Sequence, residues 1–404
     1  MTRRRVAVTG WGAISPFGRG VESLWRKTAA GECALQTWPE GPPGGPAVVG
    51  LAREADWSGL PRALRRSMSK MAGFAYLAAV EALDQAGLSA APPPGLGLVL
   101  GTTMGSPLTL VEFFTEYLRS ASLDQVRGTA FFKIMGHGAA TSLALALGLS
   151  GRLLAPSAAC AAGLQAIGLG YEAIAAGQAE IMLCGGAEEF DRLTALAFDH
   201  ILAASHNPDP AAASRPFDGG RDGLVCGEGA ALLVLESLEG ARARGAEILA
   251  EIAGFATTSS PANLVHPDAL AIARTMTLAL ADSGLAPADI QYVNAHATST
   301  VEGDRAEAEA IFQVFGAGPS VNSFKGQLGH TMAASGALET ILSLMEMRAG
   351  LILPNHNLEE PEPGFPALRL PKERENRIIK AMLKNSFALG GLNASLALKT
   401  FDGG

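Results

Sequence analysis

Pro156-Ser-Ala-Ala-Cys-Ala-Ala-Gly-Leu-Gln-Ala-Ile167 is the stretch on which the reading of this chain turns. A strand is expected before it, and the apolar Leu164, Ile167 and Leu169 set a helix after it. Cys160 then stands on the first turn of that helix, at a sharp strand-to-helix corner of the kind that presents nucleophiles. The alanines on both sides and Gly163 leave the room such a corner needs. The helix macrodipole and free N–H groups there favour a thiolate. The same N–H groups suit an oxyanion formed by attack on a thioester. A buried structural cysteine is the competing reading of this segment taken alone.

Working outward, short apolar runs alternate with segments of helical spacing. Arg5–Thr9, Gly97–Leu100, Ile181–Cys184 and Ala231–Leu235 read as strands, and Arg66–Ala86 and Gly163–Ala176 as helices. The theme returns in strands Ala250–Phe255 and Tyr292–Ala295 and helices Ala269–Ser283, Arg305–Phe315 and Thr331–Met347. Lys380–Phe387 and Gly390–Leu398 close the chain as two strands joined by a glycine turn. This is an α/β pattern in one compact body with a pseudo-repeat. Of 404 residues 48% are hydrophobic and 17% charged, which excludes a disordered chain. A net charge of −8 argues against nucleic acid as a partner. No run is long enough to span a membrane and no targeting signal is evident, so a cytoplasmic protein is expected.

Two later segments bear chemistry. His296, in Tyr292-Val-Asn-Ala-His-Ala-Thr-Ser-Thr300, ends a strand, where α/β proteins place reactive groups, although a histidine capping a loop reads equally well. Lys325-Gly-Gln-Leu-Gly-His330 precedes a helix whose positive end would keep His330 neutral. Glu339 lies two and a half turns on and could pair with Lys325 inside the fold, or on the surface. The four cysteines form no CxxC pair, and the remaining histidines show no metal-binding spacing, so no metal is expected.

In order along the chain, these segments resemble the β-ketoacyl-[acyl carrier protein] synthases, the condensing enzymes of type II fatty acid and polyketide synthesis. The resemblance starts at Val6-Ala-Val-Thr-Gly-Trp-Gly12 and runs through Ser157-Ala-Ala-Cys-Ala-Ala-Gly163 and Cys184-Gly-Gly-Ala-Glu188. It continues in Ser214-Arg-Pro-Phe-Asp218, Arg221-Asp-Gly223, Gly227-Glu-Gly229 and Asn294-Ala-His-Ala-Thr-Ser-Thr300. Asn322-Ser-Phe-Lys-Gly-Gln-Leu-Gly-His330 and Asn385-Ser-Phe-Ala-Leu-Gly-Gly-Leu-Asn393 complete it.

The resemblance implies a thiolase-like fold of two pseudo-repeated βαβ halves in five α/β/α/β/α layers. Residues 1–245 would form the half with the cysteine, and 246–404 the half with the two histidines. It implies that Cys160 takes an acyl chain as a thioester, with the N–H groups of Cys160 and Leu389 as the oxyanion hole. His296 and His330 would assist decarboxylation of malonyl-carrier protein, Lys325 and Glu339 would support them, and Thr298 and Thr300 would hold the pantetheine arm. Substrates would ride on the phosphopantetheine of acyl carrier protein, with no other cofactor. The partner subunit would be a second copy or a chain-length factor. The acidic carrier needs a basic patch, expected at Arg62, Arg65, Arg66 and Lys70 on one helix, with Arg127 and Lys133. The sequence departs from the family pattern at Leu224 and Leu389, where phenylalanines usually line the substrate pocket and gate it. Those leucines keep open a non-decarboxylating acyltransferase. A chain-length-factor-like subunit is the other alternative, and the presence of Cys160 argues against it.

Overall fold

A computed structural model of the chain describes residues 3–53, 55–89, 92–260, 264 and 266–403. Among the described residues, ten strands lie side by side in one hydrogen-bonded order. The first half supplies β1 (Val6–Ser15), β2 (Gly97–Gly101), β3 (Leu153–Leu154), β4 (Ile181–Glu188) and β5 (Gly229–Ser237), ordered β3-β2-β4-β5-β1. The second half supplies β6 (Ala250–Ser259), β7 (Tyr292–Asn294), β8 (Ser320–Asn322), β9 (Ala381–Ala388) and β10 (Leu392–Lys399), ordered β8-β7-β9-β10-β6. From its outer edge inward, each half pairs parallel, parallel, antiparallel, antiparallel. The duplication is therefore written in the ladders. The halves join where Val6, Ala7 and Val8 pair with Ile252, Glu251 and Ala250.

The helices that frame the reactive residues are α1 (Arg62–Ser67), α2 (Lys70–Gln85), α3 (Pro107–Ser120), α4 (Thr129–Ile134), α5 (Gly138–Leu147), α6 (Ala162–Ala175), α7 (Ala269–Ser283), α8 (Val301–Phe315) and α9 (Ser335–Ala349). α6 and α9 form the middle layer. Leu164, Ile167 and Ile174 of α6 and Leu338, Ile341 and Leu342 of α9 share one core with the inner faces of both sheet halves. α2 and α5 cover the outer face of the first half, and α7 and α8 that of the second. The result is the five-layer α/β/α/β/α arrangement. Among the described residues no helix is long and apolar enough to cross a membrane.

Two local expectations fail for physical reasons. β1 runs on to Ser15 instead of ending at Thr9. Gly10 and Gly12 are there because α2 lies against the strand: a Cβ on either would fall 2.3 and 2.0 Å from the carbonyls of Ala82 and Ala78. The single helix expected over Arg66–Ala86 is two. The backbone extends at Met68 and Ser69, and the Ser69 hydroxyl accepts from the Ala72 N–H to cap α2. Arg62, Arg65 and Arg66 therefore do not share a helix with Lys70.

The middle layer tolerates no added atoms at its tightest point. A Cβ on Gly186 of β4 would lie 2.1 Å from the Ala333 carbonyl oxygen and 2.8 Å from Gly163 Cα, and neither backbone can yield cheaply. Gly186→Ala is expected to lower unfolding stability by about 1–3 kcal/mol in urea titrations. Gly128→Ala, with open space around it, should stay within about 0.5 kcal/mol of the parent.

Candidate active site

Cys160 sits on a single 3-10 turn, Ala159–Ala161, that feeds α6. The strand before it is only the two-residue β3, extended by a bridge from Thr102 to Ser157. The corner is made by Ala159, whose φ of 44° lies in the left-handed region that side chains avoid. An equivalent turn, Met332–Ala334, feeds α9, and Met332 has φ 49°. His330 lies just before that turn. Its N–H donates to the Val225 carbonyl at 2.7 Å, and its own carbonyl accepts from Gly227 at 2.8 Å. His296 comes after β7 in an irregular stretch that α8 holds in place. The Glu307 carboxylate accepts from the N–H groups of His296 and Ala297, at 2.9 and 2.7 Å.

These supports bring three groups together. The Cys160 sulfur and one nitrogen each of His296 and His330 all lie within 4.8 Å of one another. The two rings meet edge to face with centroids 5.1 Å apart, and Phe387 packs against His296 at 6.0 Å. Nδ1 of His296 and both ring nitrogens of His330 are buried without a hydrogen-bond partner among the described residues. All three side chains line one cavity of about 500 Å³. Leu224 and Phe198 form its apolar side, and Thr298, Thr300 and Leu389 line it as well. The two threonine hydroxyls lie 3.0 Å apart, and Leu389 is 45% exposed.

The surroundings set the protonation states. Burial pushes the Cys160 thiol up to about 12, against the pull of the Lys325 charge. Burial, helped by Lys325, holds His330 down at about 3; the same two causes, with His330 and Lys384, keep His296 well below the imidazole range. Lys325 Nζ lies 2.6 Å from Glu339 Oε1, and both side chains are fully buried. On Glu339 the two lysines, Lys325 and Lys384, outweigh burial and hold the carboxyl at about 2. A thiol beside two neutral imidazoles can pass its proton to either ring as it attacks, and a neutral ring can donate N–H to a growing oxyanion.

Residues 3–241 match the family profile described as "Beta-ketoacyl synthase, N-terminal domain", and residues 249–359 its C-terminal domain. The chain belongs to the β-ketoacyl synthase family. It is 33% identical to the Vibrio harveyi protein named 3-oxoacyl-[acyl-carrier-protein] synthase 2, over 99% of each chain. It is similar to a solved β-ketoacyl synthase from Burkholderia phymatum STM815, with TM-score 0.93 and 37% identity, covering 98% of this chain and all of that one. It is also similar to a chain of the ishigamide ketosynthase/chain length factor, with TM-score 0.91 and 32% identity, over 99% of this chain and all of that one.

Within the β-ketoacyl synthase frame, several expectations need correction. Cys160 rests as a thiol instead of the expected thiolate, because burial raises it against the pull of Lys325. His330 lies five residues before α9, so burial and nearby cations, not the helix end, keep it neutral. Lys70 is not a free surface charge: its Nζ donates to both oxygens of the buried Glu228 at 2.8 and 2.7 Å. Lys133 is half buried, and burial lowers its pKa. Arg62, Arg65, Arg66 and Arg127 are exposed. Sequence reasoning missed Glu307 and Lys384. Each had a signal. Asp304 and Glu307 fall on the same helical stripe as the buried Ala308 and Ile311, and Lys384 interrupts an otherwise uncharged strand.

The depressed imidazoles make stability depend on pH. His330 stays neutral in the fold down to about pH 3, whereas the unfolded chain protonates it below about 6.5. The unfolded state then binds more protons, so the stabilisation present above pH 6.5 is lost as pH falls toward 3. Urea midpoints should decline below about pH 6.5, with each such imidazole contributing a slope of about 1.4 kcal/mol per pH unit. His330→Asn should make that decline shallower.

Proposed function

We propose that this chain is a 3-oxoacyl-[acyl carrier protein] synthase, which joins an acyl thioester on Cys160 to malonyl-carrier protein with loss of carbon dioxide. The observation that carries this reading is the shared cavity holding the Cys160 sulfur and two unpartnered neutral imidazoles. In the first half-reaction, the Cys160 thiol passes its proton to a neighbouring imidazole. The sulfur attacks the acyl carbonyl, and the pantetheine thiol leaves with a proton. The main-chain N–H groups of Cys160 and Leu389 hold the oxyanion. In the second, the C–C bond to the malonyl carboxylate breaks, and its electron pair moves onto the thioester carbonyl as an enolate. His296 and His330 donate to that oxygen, backed by Lys325 on Glu339. The enolate carbon attacks the acyl-cysteine, and the Cys160 sulfur leaves as the 3-oxoacyl product forms. Leu224 sits beside Cys160 on the acyl side, and Thr298 and Thr300 would receive the pantetheine arm.

The substrates arrive on carrier-protein phosphopantetheine, and the chemistry calls on no other cofactor or metal. Arg62, Arg65 and Arg66 on α1, with Arg127 beside α4, suit an acidic carrier, and α1 packs against α4. α3 and α4 expose Phe114, Tyr117, Leu118, Phe131 and Phe132, with Leu118 80% exposed. An apolar face of that extent suits a partner subunit, either a second copy or a chain-length factor. The working division of the chain is 1–245 for the thiol half and 246–404 for the imidazole half. Four unpaired cysteines suit the reducing cytoplasm.

Intact-mass detection of acyl-Cys160 and release of labelled carbon dioxide from malonyl-carrier protein test the two half-reactions separately. Cys160→Ala should abolish loading. His330→Ala should keep loading and lose carbon dioxide release by about 10²–10³-fold. Loading with no release by the unaltered protein would favour the acyltransferase instead. Arg65→Glu with Arg66→Glu should raise KM for carrier protein about tenfold at low salt, a difference that shrinks as salt is added.

A further inference from the structure

Lys384 is a buried cation to which the reaction above gives no task. It lies near the middle of β9 with no solvent exposure. Its Nζ donates to Glu339 Oε2 at 2.5 Å and to the Asn385 carbonyl at 2.7 Å. The other oxygen of Glu339 accepts from the Ser335 hydroxyl at 2.5 Å and faces Lys325 Nζ at 2.6 Å. Burying a lysine is costly, and one that remains must be paired. Here the pairing partner is already the partner of Lys325. Two ammonium groups thus share one carboxylate, leaving the trio at net +1 behind His296 and His330. Glu307 of α8 is the further acid facing Lys384, and Asn385 bonds to it at 3.1 Å.

We propose that Lys384 is a positioning residue for the decarboxylation half-reaction: it clamps the second oxygen of Glu339, which keeps the carboxylate on Lys325, and it adds a second positive charge behind the two imidazoles. With Oε2 held, Glu339 cannot rotate away from Lys325 toward the His330 ring. The added cation also opposes protonation of both rings, as the direction of their shifts requires. As the enolate oxygen gains negative charge, a net positive trio whose cations act on both rings stabilises it. The acyl-loading step generates its charge at the Cys160 and Leu389 amides; Lys325 and Glu339 act on that thiol but Lys384 does not, so loading depends on Lys384 less.

Burial brings Lys384 down to about 8, so the second charge is lost as pH rises through that value. Glu188 is held up at about 8 by its own burial, but it acts on Cys160 and therefore on loading. The inference rests on the condensing reading, so both half-reactions are measured on the same protein. Release of labelled carbon dioxide from malonyl-carrier protein and intact-mass acylation of Cys160 are followed across about pH 6 to 9.5. The unaltered enzyme should lose release, more than loading, above about pH 8. Lys384→Met should lower kcat for release about tenfold, leave KM for malonyl-carrier protein within about twofold, and keep loading within about threefold. It should also abolish the basic limb. Lys384→Gln is smaller and keeps an N–H donor but no charge; it too should lack the limb, which guards against poor folding of the methionine variant. A flat profile in the unaltered enzyme overturns the inference. So does a limb that persists in a variant, or release and loading that fall in step. Loading without release by the unaltered enzyme sinks the condensing reading first, and the inference with it.

Discussion

The contact on which this architecture depends is the approach of α6 to the turn that feeds α9. Gly163 has the Ala333 carbonyl where a side chain would begin, and Gly186 of β4 faces the same oxygen. Three backbones meet there without intervening atoms. That closeness fixes the distance between the Cys160 turn and the His330 segment, which belong to different halves of the sequence. Everything reactive is then referred to one rigid point. Glu307 places the His296 stretch, and the Cys226 segment clasps His330 through main-chain bonds on both sides.

Burial does the electrical work. The cavity holds its thiol protonated and its imidazoles neutral, and both states arise from the cost of charge away from water. The compensation is local: the lysines are tolerated because Glu339 lies between them. The site is thus neutral at the sulfur and the two rings, and positive at the two lysines that share Glu339. Leu224 and Leu389 leave that pattern untouched, since neither carries charge. They bear on the shape of the chamber, one buried beside the sulfur and the other half open to solvent.

Much of this was legible in residue order. Alternating strand and helix runs located most of the core strands and the helices of the middle layer, and Ala269–Ser283 matched at both ends. The pairing of Lys325 with Glu339 was implied by the family resemblance, while spacing left it open because the two residues stand on different helices. What escaped was set by contacts far apart in sequence. A strand drawn to stop at Thr9 ignores that Gly10 is there for α2 to lie on, and a helix drawn from Arg66 to Ala86 ignores how readily a serine caps a new start. The thiolate expected at a helix end ignored desolvation, which only the assembled layers reveal. Lys384 was passed over because lysines are overwhelmingly surface residues, yet its place among apolar strand neighbours was visible.

The matching corners at Ala159 and Met332 have an implication for how such a molecule diversifies. Two copies of one scaffold bring two strained pivots to a common centre, but only one of them bears a cysteine; its counterpart position in the other copy is Ala333. The second pivot carries an alanine there and becomes wall. Symmetry supplies the geometry, and its breaking sets the chemistry of each side: one copy presents the thiol and the other the imidazoles.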